Sequence, residues 1–251
     1  MSILLLLLAG FFLPLFPLSM VFNALLARFS HPAARVALIV VWPQLGVLLV
    51  LAAGLPLDGL HGGLFLWWGL ATAAFYAWRL LTVREIGQWA AMLATSAFAL
   101  TWVMAAASRH AADLQVFALG FAMAPALLVV IATLLERRIG AAYSGLVTGM
   151  ARDVPRLAGL LTVVLLAAMA LPISPGFFAM LDLLFRSPPG PVMLALLTWL
   201  LWSWAGTRLL RETVFGPRSG AETADICPAQ AWAFTAVIVL AIVLKLIWTG
   251  A

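Results

Sequence analysis

An all-α, polytopic membrane bundle of about eight transmembrane helices is what this sequence predicts, on three observations. Hydrophobic residues make up 65% of its 251 residues and charged residues only 9%, with a mean hydropathy of +1.13. That leaves too little polar surface to clothe a water-soluble globule. The apolar residues run in stretches of about 20, the length that crosses the hydrocarbon core of a bilayer as a helix. Arginines fall in every second gap between those stretches, as expected of cytoplasmic loops under the positive-inside rule.

The spans fall at about 3 to 22, 36 to 56, 64 to 82, 88 to 108, 115 to 135, 157 to 184, 192 to 209 and 231 to 249. None alternates as a barrel strand would, and backbone groups in lipid must bond within their own segment, so helices are expected throughout. The first stretch, Met1 to Phe22, has neither a basic leader nor a small-residue cleavage pattern and reads as an uncleaved crossing. It carries Pro14 and Pro17, while the sixth span carries Pro172, Ser174, Pro175 and Gly176. Proline removes an amide donor and clashes with the preceding turn, so the first and sixth helices are expected to break at membrane depth. Pro43 and Pro125 predict milder kinks in the second and fifth. Residues 1–251 are expected to form a single transmembrane domain.

If the N-terminus is outside, the inner loops hold Arg28, Arg35, Arg79, Arg84, Arg137, Arg138, Arg152, Arg156, Arg208, Arg211 and Arg218, against Arg109 and Arg186 outside. This places both termini outside the cytoplasm, in a bacterial inner membrane. The sequence pI near 10.7 is then a mark of topology and of contact with the lipid bilayer, with no nucleic-acid partner expected. Trp67, Trp68, Trp199, Trp202, Trp204 and Trp248 include interfacial anchors, some of which must face other helices.

Ionisable groups inside a span mark function by default, since each costs roughly 2.5 to 3.5 kcal/mol on insertion scales. Only Asp182, late in the sixth helix, and Lys245, near the end of the eighth, qualify. Lys245 is close enough to the surface to snorkel. The neutral polar residues Gln44, Thr95, Ser96 and Ser174 accompany them, and Asp182, Gln44 and Ser174 are the candidate ion-path residues. His31, His61 and His110 lie in or beside loops on alternating sides, and Cys227 is the single cysteine. No metal centre, disulfide or cofactor is expected, and no soluble-type active site can be assembled, so the chain alone is expected to be non-catalytic.

Three segments in order carry a family resemblance: Leu135-Glu136-Arg137, then the stretch from Gly149 to Ala158 (GMARDVPRLA), then Leu171-Pro172-Ile173-Ser174-Pro175-Gly176-Phe177. They resemble the proton-conducting, antiporter-like membrane subunits of respiratory complex I, Mrp-type cation antiporters, membrane-bound hydrogenases and inorganic-carbon uptake complexes. In that family a Tyr/Leu-Glu-Arg helix end precedes a cytoplasmic Gly-Leu-Ala-x-x-x-Pro-x-Leu-Ala loop and a helix broken at Leu-Pro-Gly-x-x-Gly-Phe. Val83 to Ser96, Trp42 to Gly46 and Phe16-Pro17-Leu18 extend the likeness upstream. It covers the whole chain but only the latter half of a typical member.

The departures from the family are as informative. Its buried lysine in the first broken helix would align near Leu15 or Phe16, the next lysine at Gln44, the central histidine near Gly120, and the Lys or Glu after the second break at Met180. The resemblance therefore implies a shortened, degenerate subunit, a scaffold among other membrane subunits of an ion-translocating or redox-coupled complex. An ion-conducting subunit built on Asp182 is one alternative. Another is a membrane anchor for a cytoplasmic catalytic subunit, an inorganic-carbon or hydrogenase module, docked through Arg137, Arg138, Arg152 and Arg156. The pairs Gly69 with Ala73, Ala90 with Ala94, and Gly145 with Gly149 offer close-packing surfaces for a partner helix, although the last pair sits in a loop.

Overall fold

The computed structural model describes residues 2–54, 57, 59–108, 110–146, 148–172, 174–216 and 224–250; Arg109, Ile173 and Arg218, and the side chains of His61 and Trp248, lie outside the described residues. The described residues form twelve helices: α1 (Ser2–Phe12), α2 (Ser19–Arg28), α3 (Pro32–Ala53), α4 (Gly59–Leu80), α5 (Ile86–Ala99), α6 (Thr101–Ala107), α7 (Ala111–Ile139), α8 (Met150–Asp153), α9 (Pro155–Ala168), α10 (Pro175–Arg186), α11 (Pro189–Thr213) and α12 (Pro228–Gly250). Pairing α1 with α2, α5 with α6, and α9 with α10 gives eight crossings at the expected places. Five of them are unbroken or nearly so and are long and apolar enough to span a bilayer, and α4 matches them with 22 residues. The all-α membrane bundle is therefore the observed architecture.

Both proline-rich spans are interrupted. In the first, α1 stops at Phe12 and the chain turns through Pro14 and Pro17 before α2 begins at Ser19. Several of the freed backbone groups find side-chain partners. Trp42 Nε1 donates to the Phe11 carbonyl at 3.3 Å, Trp102 Nε1 to Leu13 at 3.1 Å and Trp68 Nε1 to Phe16 at 2.7 Å, while the Phe16 amide donates to Thr72 Oγ1 at 3.1 Å. In the second, α9 ends at Ala168, and Trp199 Nε1 donates to the Met169 carbonyl at 2.8 Å. Ser174 then caps α10, its Oγ accepting the Phe177 amide at 3.2 Å, with Pro175 at the first helical position where its missing N–H is no loss. Pro43 and Pro125 stay inside continuous helices.

Glycine lets neighbouring helices close on both breaks. A Cβ at Gly46 of α3 would sit 2.8 Å from the Leu13 amide nitrogen, and one at Gly206 of α11 would overlap the Met169 side chain. The centre of the bundle is α5, α6 and α7, buried along most of their length, while α12 is almost wholly exposed. Ala73, Ala90 and Ala94 are fully buried and a Cβ on Gly69 would press on the Ala99 carbonyl, so these small residues pack inside the chain. Gly145 and Gly149 both adopt positive φ in the loop before α8.

The arginine-bearing loops meet at one end of the bundle. Ser144 N donates to the Arg84 carbonyl, Ile86 N to Ala142, Ala151 N to Val214, and the Arg208 guanidinium to Leu81. The segment leading into α12 is tied down by Arg138 on the Ala224 carbonyl and Arg156 Nη1 on the Ile226 carbonyl at 3.2 Å. Asp225 closes this knot: its carboxylate accepts the Arg156 and Leu157 amides at 2.8 and 3.2 Å, capping α9 from nearly 70 residues away.

Removing an indole donor should cost what an unsatisfied buried carbonyl costs. Trp102→Phe is expected to destabilise the chain by about 1 to 3 kcal/mol, read as a lower thermal unfolding midpoint in mild detergent. Trp204→Phe, on a side chain that is 64% exposed, is expected to leave the midpoint unchanged.

Candidate functional site

The interior beside the first break is polar yet neutral. Ser19 Oγ pairs with the Tyr76 hydroxyl at 2.9 Å, and Asn23 Nδ2 donates to the Ser19 carbonyl at 3.1 Å. Thr95 Oγ1 reaches Asn23 Oδ1 at 3.2 Å and the Ala91 carbonyl at 2.9 Å. Ser96 Oγ donates to the Ala73 carbonyl at 2.6 Å and accepts from Trp202 Nε1 at 2.9 Å. The sequence shows Thr95 and Ser96 as hydroxyls inside a span, whereas no sequence pattern marks Ser19, Asn23 and Tyr76. They sit near helix ends or inside apolar runs, and only packing turns them to a common face.

The three ion-path candidates do not bond to one another. Gln44 Nε2 donates to the Gln115 carbonyl in the second turn of α7 at 3.4 Å. Asp182 Oδ1 takes Arg186 Nε at 2.6 Å, and Arg186 Nη1 reaches Asp113 Oδ2 at 2.8 Å, which also accepts Ser108 Oγ at 2.9 Å. Asp182 is thus one member of a partly exposed charge cluster at the end of the bundle opposite the arginine loops. Lys245 of α12 lies near enough to both carboxylates for their charges to act on it. Ser174 is occupied as the helix cap already described.

Where the family resemblance places titrating groups, the side chains are apolar or neutral. Leu15 and Met180 are fully buried, and Gly120 packs so closely on the second break that a Cβ there would meet the Pro175 carbonyl at 3.2 Å. Among the described residues no Asp, Glu, Lys or His is fully buried, and the single buried charge is Arg35. A guanidinium keeps its proton under all physiological conditions and relays none. Among the described residues there is no group of His, Cys, Asp and Glu able to hold a metal ion.

No family model and no curated protein matches the chain. Solved structures do. A chain of respiratory complex I from Thermus thermophilus with bound NADH is 20% identical at a TM-score of 0.79, over 97% of this chain and 54% of its own length. A chain of the Mrp complex from Dietzia sp. DQ12-45-1b is 14% identical at a TM-score of 0.83, over 98% of this chain and 56% of its own. The chain has the antiporter-like subunit fold. It spans about half the length of each of these two chains. Apolar helices in the antiporter-like fold make it an integral membrane protein.

At the basic end of the fold, Glu85 caps α5, its two oxygens accepting the Gly87 and Gln88 amides at 2.9 and 2.8 Å. Burial raises its carboxyl above the ordinary 4.5, against the pull of those amides and of Arg35, and Glu136 adds to the rise. A folded-state value above the unfolded one stabilises the protonated form. That contribution is complete below the ordinary value and is lost as pH climbs through the raised one. Glu85→Gln is therefore expected to remove a fall in thermal midpoint that the native chain shows as pH rises from about 4.5.

Proposed function

We propose that the chain is a degenerate antiporter-like membrane subunit acting as a scaffold within a larger ion-translocating or redox-coupled complex. The observation that carries this reading is a fold kept along the whole chain around an interior with no fully buried Asp, Glu, Lys or His among the described residues. A proton relay needs side chains that change protonation, or waters held between them. Leu15, Met180 and the tightly packed Gly120 offer neither at the positions where the family has them. Asp182, the one acidic group of the broken sixth helix, is engaged by Arg186 at the rim and is poorly placed to replace them. The residues correspond in this reading to the second half of an antiporter-like subunit, with the basic loops in the cytoplasm and both termini outside.

A second reading, an anchor for a soluble catalytic subunit, is favoured by the loops themselves. Arg138 and Arg156 hold the segment before α12, but Arg137 and Arg152 are exposed at the same end and present their charge outward. An acidic partner surface would dock there. Scaffold and anchor are compatible in one assembly.

Asp182→Asn in the intact complex is expected to leave ion pumping or uptake unchanged. Loss of flux with the complex still assembled would overturn the scaffold reading in favour of conduction through Asp182. Pull-down of the tagged chain in mild detergent is expected to recover other membrane subunits. Reversing the charge of Arg137 and Arg152 to Glu should release any soluble subunit recovered with them, and unchanged co-purification would remove the anchor reading.

A further inference from the structure

Two apolar grooves lie on either side of Met123, between α7, the second break and α12. One, of about 310 Å3, runs past Leu119, Gly120 and Pro175 to Ala241, Leu244 and Lys245. The other, of about 330 Å3, runs past Leu166, Leu171, Pro172 and Ser174 to Ile238 and Ile242. Both are open at the side, and Leu119, Leu166, Leu171 and Leu244 are exposed along them. The polar side chains on these walls are Ser174, whose oxygen already caps α10, and Lys245 at the outer end.

We infer that this cleft is a phospholipid site, holding an acyl chain along Met123 with an amine-bearing zwitterionic headgroup, of the phosphatidylethanolamine kind, against the charges at its outer end. An apolar surface left empty at bilayer depth forfeits its dispersion contacts, and water has no partners there to replace them. An apolar cavity of about 150 Å3 accepts a six-carbon ring, so each groove has room for roughly a dozen chain carbons. The outer end carries two carboxylates, Asp113 and Asp182, and two cations, Arg186 and Lys245, and so is neutral in sum. Such a mixed set complements a zwitterion, with phosphate toward Lys245 and ammonium toward the carboxylates, better than it complements a purely anionic headgroup. α12 is then a helix pinned at its inner end by Asp225, Arg138 and Arg156, with lipid as its packing partner along the middle.

The test uses native membranes containing the full chain and its partners, loaded with phosphatidylethanolamine bearing a photoreactive diazirine on the acyl chain. Mass spectrometry of peptides is expected to find adducts concentrated in 116–123 and 241–244 over α1, whose Leu4 and Leu8 are as exposed to lipid. Lys245→Gln should lower groove labelling about fivefold, and Ala241→Phe, which fills the groove without touching a charge, should abolish it, with α1 labelling unchanged in both as a check on folding. Labelling spread evenly over the exposed helices would overturn the site. So would a groove shielded from every lipid probe by a co-purifying helix. Stronger labelling by the same probe built on phosphatidylglycerol would overturn the zwitterionic assignment.

Discussion

Hydrocarbon offers no hydrogen bonds, and the rest of this molecule is arranged around that constraint. A helix meets it automatically; a helix broken by proline does not. The two breaks expose carbonyls at Phe11, Leu13, Phe16 and Met169, and each receives an indole N–H from a tryptophan on a different helix. Indole suits the task because it is a donor without an acceptor, attached to a large apolar body that packs like core. Three of those tryptophans converge on the first break from α3, α4 and α6, so its geometry is set by the whole first half of the bundle.

Charge is kept at the two ends and is used for closure. At the basic end, Asp225 supplies the acceptors that the N-terminus of α9 lacks, and Arg138 and Arg156 fix the strand of chain that delivers it. Glu85 does the same for α5, at the cost of holding a carboxylate in a half-buried place. At the opposite end, Arg186 joins the late turns of α10 to the start of α7 through two carboxylates. None of these contacts reaches the centre of the membrane, where the polar groups are hydroxyls, an amide and indoles.

That division shows that the fold of this chain is held together without buried carboxylates or lysines among the described residues. The breaks do not need a buried lysine to exist: prolines create them, tryptophans satisfy them and glycines at positions 46, 120 and 206 let neighbours close on them. A neutral interior such as the Ser19, Asn23, Tyr76, Thr95 network holds helices in register without asking any group to titrate.

The eight crossings, the two breaks and the basic end were determined by the sequence alone, because each rests on a local property: the length of an apolar run, the missing amide of Pro14, Pro17, Pro172 and Pro175, the spacing of arginines. The identity of the antiporter-like fold was also legible, in the motif around Gly149 to Phe177. Partners across the bundle were decided only by the tertiary structure. The sequence places Asp182 late in the sixth span, but only folding brings Arg186 and Asp113, 73 residues apart, together beside it. The bonds of Arg138 and Arg156 to the carbonyls of Ala224 and Ile226 likewise exist only once residues 224–226 fold back on them. Trp202 is a buried donor and Trp68 and Trp199 donate to the broken helices from more exposed positions, while Trp67 and Trp204 face outward. Hydrophobic helices give almost no periodic signal for which face is inside, since lipid and core are equally apolar, and that choice is made by packing.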